Sequence, residues 1–187
     1  VTIALTLGVL FAVASVYWRG RWPESLADGF SGLALAIPDF LWGLIFILVL
    51  GVLIPVMPIS GRLDPSLEFN PITQFFFIES LLRGEFRVFA SLISHLVLPA
   101  LALALPLAAM IARVLKNSLI EAMDQDYILL ARVKGFTRSR IIWREALRNA
   151  LIPTVALTGV QFTFLIGGTV LIEYIYSYPG IGNMAIG

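Results

Sequence analysis

The sequence contains no cysteine, which excludes disulfides, thiol catalysis and cysteine-held metals. It contains a single histidine, His95, four residues before Pro99, with no second histidine or carboxylate at ligand spacing. A structural role is expected for it, and no metal site. No G-x-x-x-x-G-K-[ST] loop occurs, so the chain cannot cradle ATP phosphates by itself. No Ser/His/Asp set or carboxylate pair has a defensible geometry, so no catalysis and no bound cofactor are expected. Charge is scarce too: 13% of residues are Asp, Glu, Lys or Arg, against about 25% in a soluble domain. Heptads, low-complexity tracts and internal repeats are also missing.

What the 187 residues do have is apolar character, at 59% hydrophobic. Runs of about 20 apolar residues meet the demand of a bilayer's hydrocarbon core. The chain therefore reads as an integral membrane protein, all-α, a polytopic helical bundle with at least four spans. The expected spans are 1–18, 33–56, 91–115 and 150–174. The sequence starts inside an apolar run at Val1 and stops at Gly187 just after a turn. It is thus expected to be a single transmembrane domain lacking material at both ends.

Basic residues set the orientation, because Lys and Arg are held on the cytoplasmic side during insertion. Arg113, Lys116, Arg132, Lys134, Arg138, Arg140, Arg144 and Arg148 are eight of the thirteen, and they cluster around the loop 116–149. Arg19 and Arg21 fall on the same side by span count. Between 57 and 89, Arg62, Arg83 and Arg87 face Asp64, Glu68, Glu79 and Glu85, a net of −1 suited to the far side. Within that stretch, Gln74 to Leu82 is expected to be a short helix, either in the interface or partly buried in the loop. In the third span Ala100, Ala104, Ala108 and Ala112 recur every four residues, a ridge that allows close helix approach. Pro99 and Pro106 predict a kink.

The loop 116–149 reads as a mechanical part. Asn117 to Lys134 is expected to be helix continuing out of the third span, stopped by Gly135 in a left-handed conformation. Thr137 is placed to cap a second helix that runs into the fourth span past Pro153. The elbow carries Tyr127, Ile128, Leu129, Leu130 and Val133 beside Arg132 and Lys134. These apolar side chains can pack on the loop's own second helix or fill a groove on another protein.

The stretch DYILLARVKGFTRSRIIWREALRNALIP, together with LIEYIYSYPGIGN, resembles the permease subunits of ATP-binding-cassette importers, dipeptide/oligopeptide/nickel branch. Their cytoplasmic signature, a Glu-Ala-Ala stretch with a glycine and a downstream Leu-Pro-like pair, falls on Leu129, Leu130 and Ala131, on Gly135, and on Ile152-Pro153. Ala131, Gly135 and Pro153 match strictly. Leu129 in place of Glu, and the long gap from Gly135 to Pro153, are similar to the peptide branch. The resemblance extends to LAIPDFLWGLIFIL and covers most of the chain.

The resemblance implies that Asp126, Tyr127, Leu129, Leu130, Ala131, Arg132, Lys134, Gly135 and Phe136 form the ATPase-coupling helix. It implies as partners separate ATPase subunits that use the ATP, a second permease of related sequence, an extracytoplasmic solute-binding protein and membrane lipid, with no nucleic acid. It also implies a place in a bacterial or archaeal cytoplasmic (inner) membrane, and transport of peptides, nickel chelates or similar small solutes. A secondary, ion-coupled transporter is the competing class. It would need carboxylates deep in the bundle, and only Asp39 is a candidate. Asp39 departs from similar permeases, which carry a small polar residue there. It reads either as an interfacial carboxylate beside Pro38 or as a functional intramembrane one.

On the fourth span Thr154, Thr158, Gln161, Gly168 and Thr169 fall within about 120° of one another on a helix. They either line a translocation path or pack helices and bond back to carbonyls. Glu173 to Gly182 is expected to leave the span in a Pro179-Gly180 turn, its tyrosines suited to the interface.

Overall fold

The computed structural model describes residues 1–73, 75–180 and 182, and among them every regular element is helical. The helices are α1 (Thr2–Tyr17), α2 (Trp22–Ala36), α3 (Asp39–Phe46), α4 (Phe76–Leu82), α5 (Phe86–Met123), α6 (Asp126–Val133), α7 (Arg138–Arg140) and α8 (Leu147–Ile175). A π-helical segment, Ile47–Leu53, extends α3, and another, Ile141–Ala146, joins α7 to α8. Among the described residues, α5 is the one helix that by length and composition can cross a membrane by itself. The pairs Trp22–Ala36 with Asp39–Leu53, and Arg138–Leu165 with Gly167–Ile175, reach that length only together, and α1 has 16 residues.

Two breaks differ from expectation. The second apolar run, expected as one span over 33–56, is interrupted at Ile37-Pro38. A proline pushes the preceding residue out of the α region, and Ile37 sits at φ −98°, ψ 124°. The helix expected to run from Asn117 to Lys134 stops at Met123 and restarts at Asp126. Gln125, extended at φ −83°, ψ 154°, turns the chain between them.

Contacts divide the chain into two compact units: Val1–Pro38 with Ala104–Leu165, and Asp39–Leu103 with Ile166–Gly187. In the first, α1 presents Ala4, Gly8 and Ala12, one residue per turn, to α5. Ala4 packs with Ala104, Leu107, Ala108 and Ile111, all buried, and Gly8 stands against Ile111 and the Ala108 carbonyl. The alanine ridge read from the sequence is buried here at Ala104, Ala108 and Ala112. In lipid such small-residue faces replace the hydrophobic drive with van der Waals contact between close backbones. Further along α5, Leu115, Leu119 and Ala122 recur at helical spacing. They pack with Ala12, Val13 and Val16 of α1, Ile128 and Ala131 of α6, and Ile141, Ile142, Ala146, Leu147 and Ala150. Lys116, on another face of α5, reaches α2, with Nζ 2.7 Å from Glu24 Oε1 and 2.6 Å from Asp28 Oδ2.

In the second unit the Tyr176 hydroxyl, almost fully buried, donates to the Gly43 carbonyl at 2.9 Å. Gly43 keeps that approach open, since a β-carbon there would lie 3.1 Å from Ile172 Cδ1. The Gly61 amide donates to the Tyr176 carbonyl at 2.9 Å, tying the loop after α3 to the end of α8. The chain turns after α8 earlier than expected, at Tyr176-Ser177 rather than Pro179-Gly180: Ser177 takes φ +47° and the Tyr178 amide donates to the Glu173 carbonyl at 2.8 Å. Gly180 then passes so near the Glu173 carboxylate that a β-carbon would clash with it. Burial raises the Tyr178 hydroxyl above its ordinary range, and nearby Arg62 opposes that rise. Of the motif read here, Ile181 and Asn183 lie outside the described residues.

Candidate functional site: the α6 elbow

The elbow is fixed by local backbone chemistry at its far end. Lys134 caps α6, Gly135 takes φ +76°, and the chain then turns into α7. The Phe136 amide donates to the Ala131 carbonyl at 3.1 Å, and the Gly135 amide to the Arg132 carbonyl at 2.9 Å. That pair of bonds is a Schellman closure, which satisfies carbonyls that a helix end leaves unpaired. Phe136 completes it by packing against the cluster that contains Ala131. Thr137 then caps α7 as expected, its Oγ1 accepting from the Arg140 amide at 3.4 Å.

Two cations brace this corner. The Arg140 guanidinium lies 3.8 Å over the Phe136 ring, a favourable approach to the negative face of an aromatic. The Arg138 guanidinium donates to the Val16 carbonyl at 3.1 Å, at the C-terminal end of α1, where the helix dipole favours positive charge. Arg132 donates to the Met123 carbonyl at 3.4 Å, across the break before α6.

The two packings open to the elbow's apolar residues are divided between its faces. Ile128 (0% exposed) and Ala131 (5%) are buried against the loop's own second helix at Ile141 and Ile142. Leu129 (61%), Leu130 (54%) and Val133 (78%) face outward, with Tyr127 half-exposed. Asp126, Arg132, Lys134 and Gly135 are also exposed. Beside the elbow a cleft of about 340 Å³ is lined by Ser118, Glu121, Gln125, Tyr127, Asn149 and Pro153, among others.

The polar residues of α8 are occupied locally. Thr154 is fully buried, its hydroxyl donating to the Ala150 carbonyl at 3.3 Å. The Thr158 hydroxyl donates to the Thr154 carbonyl at 2.8 Å, and Gln161 Nε2 contacts Met110 Sδ of α5 at 2.8 Å. Thr154, Thr158 and Gln161 belong to the first unit, whereas Thr169 is half-buried in the second. In that second unit Asp39 rests against Gly168, where a β-carbon would stand 2.8 Å from its Oδ2. Its other oxygen accepts from the Phe40 amide at 2.8 Å. His95 bonds the Ser91 carbonyl through Nδ1 at 2.7 Å, and the described residues contain no group able to hold a metal ion.

Sequence reading overlooked the brace formed by Lys116, Glu24 and Asp28. Its signal was present: two carboxylates four residues apart share one face of α2. The first span was expected, but not its contact with the elbow: Ala12, Val13 and Val16 of α1 pack in the cluster with Ile128 and Ala131, and the Val16 carbonyl accepts from Arg138.

Among the described residues the chain is all-helical, with an apolar-faced elbow between two long helices. Residues 4–187 match the family described as binding-protein-dependent transport system inner membrane component, and the chain belongs to that family, on the dipeptide/oligopeptide side of the ABC importer permeases. It is 40% identical over 187 residues to the di/tripeptide transport system permease protein DppB of Pseudomonas aeruginosa (strain UCBPP-PA14), covering 99% of this chain and 54% of that protein. It is 36% identical to the dipeptide transport system permease protein DppB of Escherichia coli (strain K12), covering 98% and 54%. The glutathione transport system permease protein GsiC of Salmonella typhimurium (strain LT2) is 27% identical, covering 98% and 51%. The chain spans about half the length of the curated relatives it matches.

Proposed function

We propose that this chain is the membrane-spanning permease part of an ATP-driven importer for peptides or similar small solutes in a bacterial or archaeal inner membrane, and that α6 is its coupling helix. One observation carries the coupling role: α6 buries Ile128 and Ala131 against its own protein while leaving Leu129, Leu130 and Val133 bare. Docked into an apolar groove of a separate ATPase subunit, those three side chains would leave water without loosening the elbow. The exposed Arg132 and Lys134 at the end of α6 favour an acidic rim on that groove.

Force on α6 would pass through the buried cluster into α5, α1 and α8 together, because all four contribute to it. Closure of two ATPases on nucleotide would then move the helices between inward-open and outward-open states. This chain supplies no ATP site; its partners hydrolyse the nucleotide. A second, related permease completes the path, and an extracytoplasmic binding protein delivers the solute. Thr154, Thr158, Gln161 and Thr169 are the path-lining candidates. Thr158 and Gln161, half-buried and midway along α8, are the two to test first.

Co-purification decides the coupling role. The wild-type protein is expected to retain ATPase subunits in mild detergent, and Leu129→Asp with Val133→Asp to lose them while remaining inserted. Full retention by the double variant would remove α6 from the interface. Unaltered uptake after Thr158→Leu and Gln161→Leu would remove those residues from the path.

A further inference from the structure

The short helix α4 (Phe76–Leu82) has two unlike sides. Toward the protein, Phe77 meets the Phe89 ring of α5 edge-on at 6.2 Å, Phe76 lies 5.7 Å from Phe69, and the Arg62 guanidinium sits 3.8 Å over Phe76. Ser80 is fully buried. Glu79 and Arg83, the ionisable groups of α4 and its C-cap, pair with each other at 2.5 Å and bond the backbone of Asn70, Ile72 and Thr73. Away from the protein, Phe75 (70% exposed), Ile78 (59%), Leu81 (54%) and Leu82 (81%) share one face of α4 at helical spacing, and Ile72 before the helix and Phe86 at the start of α5 are exposed as well. None of these six positions is ionisable.

We propose that this face is a membrane-surface anchor, and that its occupant is the headgroup and upper acyl region of the leaflet in which α5 begins. The placement comes from α5, the helix long and apolar enough to cross a membrane by itself. Phe89, on which α4 packs, stands two residues before the uncharged run that opens at Ser91. Two residues of helix rise are about 3 Å. The headgroup region of each leaflet is roughly 5–8 Å deep. Fixed to Phe89, α4 therefore lies at the level of that region, neither far out in water nor deep in hydrocarbon.

A bilayer fits this face better than a protein groove would. The exposed groups are large and aliphatic or aromatic, the kind that settle at the boundary between headgroups and chains. Of the charged groups nearby, Glu79 and Arg83 pair with each other. Exposed Arg87, in the first turn of α5, stands where lipid phosphates would meet it. The inference rests on the membrane character of the chain and is independent of the coupling role of α6, so neither test can decide the other.

The test uses the purified protein in lipid nanodiscs, with a bimane probe attached at Ile78→Cys, Leu82→Cys or, as a control in the exposed loop, Ser66→Cys; the sequence has no cysteine to compete for the probe. All three sites are exposed, so folding is not at stake. Lipids carrying a shallow nitroxide are expected to quench the probe at 78 and 82 about twofold or more relative to position 66. Iodide in the buffer is expected to quench only position 66 strongly. Strong iodide quenching at 78 and 82 without lipid quenching would overturn the proposal. Protection from both quenchers would also overturn it, by showing that another protein covers the face.

Discussion

Gly8 of α1 and Ile111 of α5 are so close that a β-carbon on the glycine would come 2.6 Å from Ile111 Cγ2 and 3.0 Å from the Ala108 carbonyl oxygen. No side chain fits there without moving one helix. Gly8→Ala is expected to destabilise the protein by about 1–3 kcal/mol, the usual cost of overpacking. Ile111→Ala removes Cγ2 and leaves a cavity of its own, but keeps Cβ, 2.8 Å from the added carbon. The double variant should therefore lose somewhat less than the two single losses combined. Thermal unfolding in detergent micelles, run on all four proteins, checks this. Strict additivity would mean that the two helices do not meet at this pair.

Gly135 is constrained differently. Nothing lies within 4 Å of the β-carbon it lacks, yet it holds φ +76°. Substitution there costs through backbone conformation alone. Gly135→Ala is expected to cost about 1–2 kcal/mol, Gly135→Asn less, and Gly135→Val the most, because β-branched residues resist this region. If α6 transmits force as proposed, Gly135→Val should also lower uptake per ATP hydrolysed while leaving membrane insertion unchanged. Unchanged melting in the alanine variant would show that the corner rearranges freely.

The parts of the fold readable in advance were those written in local backbone chemistry. Gly135 and Thr137 end one helix and start the next through their own conformational preferences, whatever surrounds them. The break at Ile37-Pro38 was equally local, and the proline was visible, but the length of the apolar run concealed it. The turn at Asp124-Gln125 has no such mark: neither glycine nor proline stands there. It exists because Ile128 and Ala131 reach the cluster around Ile141 and Ile142 only if the chain changes direction first. That is a tertiary cause, beyond any window of sequence. The threonines of α8 show the opposite limit. Their spacing marked a polar stripe, but not the bonds its hydroxyls make: Thr154 and Thr158 donate to carbonyls one turn back.

Lys116 joins α5 to α2 through two carboxylates, and Glu24 also accepts from the Gly20 amide at 2.6 Å. The lysine and Glu24 side chains are only 13% and 19% exposed, while Asp28 is 53% exposed. Breaking the inner pair should therefore matter more than breaking the outer one. Lys116→Met is expected to destabilise by about 1–3 kcal/mol, since it strands a carboxylate with little water around it. Asp28→Asn should cost under about 1 kcal/mol, as for exposed pairs. Exchanging the charges, Lys116→Glu with Glu24→Lys, should recover part of what Lys116→Glu alone loses. No recovery would mean that the lysine acts through its packing rather than its charge.

Glu79 gives the loop before α4 a defined pH dependence. Its carboxylate accepts from the Ile72 amide at 2.8 Å and from the Thr73 amide and hydroxyl at 2.9 Å each, with Arg83 alongside. These amide bonds, with the hydroxyl and Arg83 adding to them, hold its pKa below the ordinary glutamate value of 4.5. A carboxylate depressed in the folded state contributes stability that is fully present above its unfolded pKa and is lost as pH falls through the folded one. Amide exchange at Ile72 and Thr73, corrected for intrinsic rates, should therefore show constant protection between pH 7 and pH 5. Protection should fall only below 4.5. In Glu79→Gln the protection should be lower throughout and should lack the acid step, because a neutral amide accepts more weakly and does not titrate. A step of the same size in that variant would place the titrating group elsewhere and remove Glu79 as the clasp of this loop.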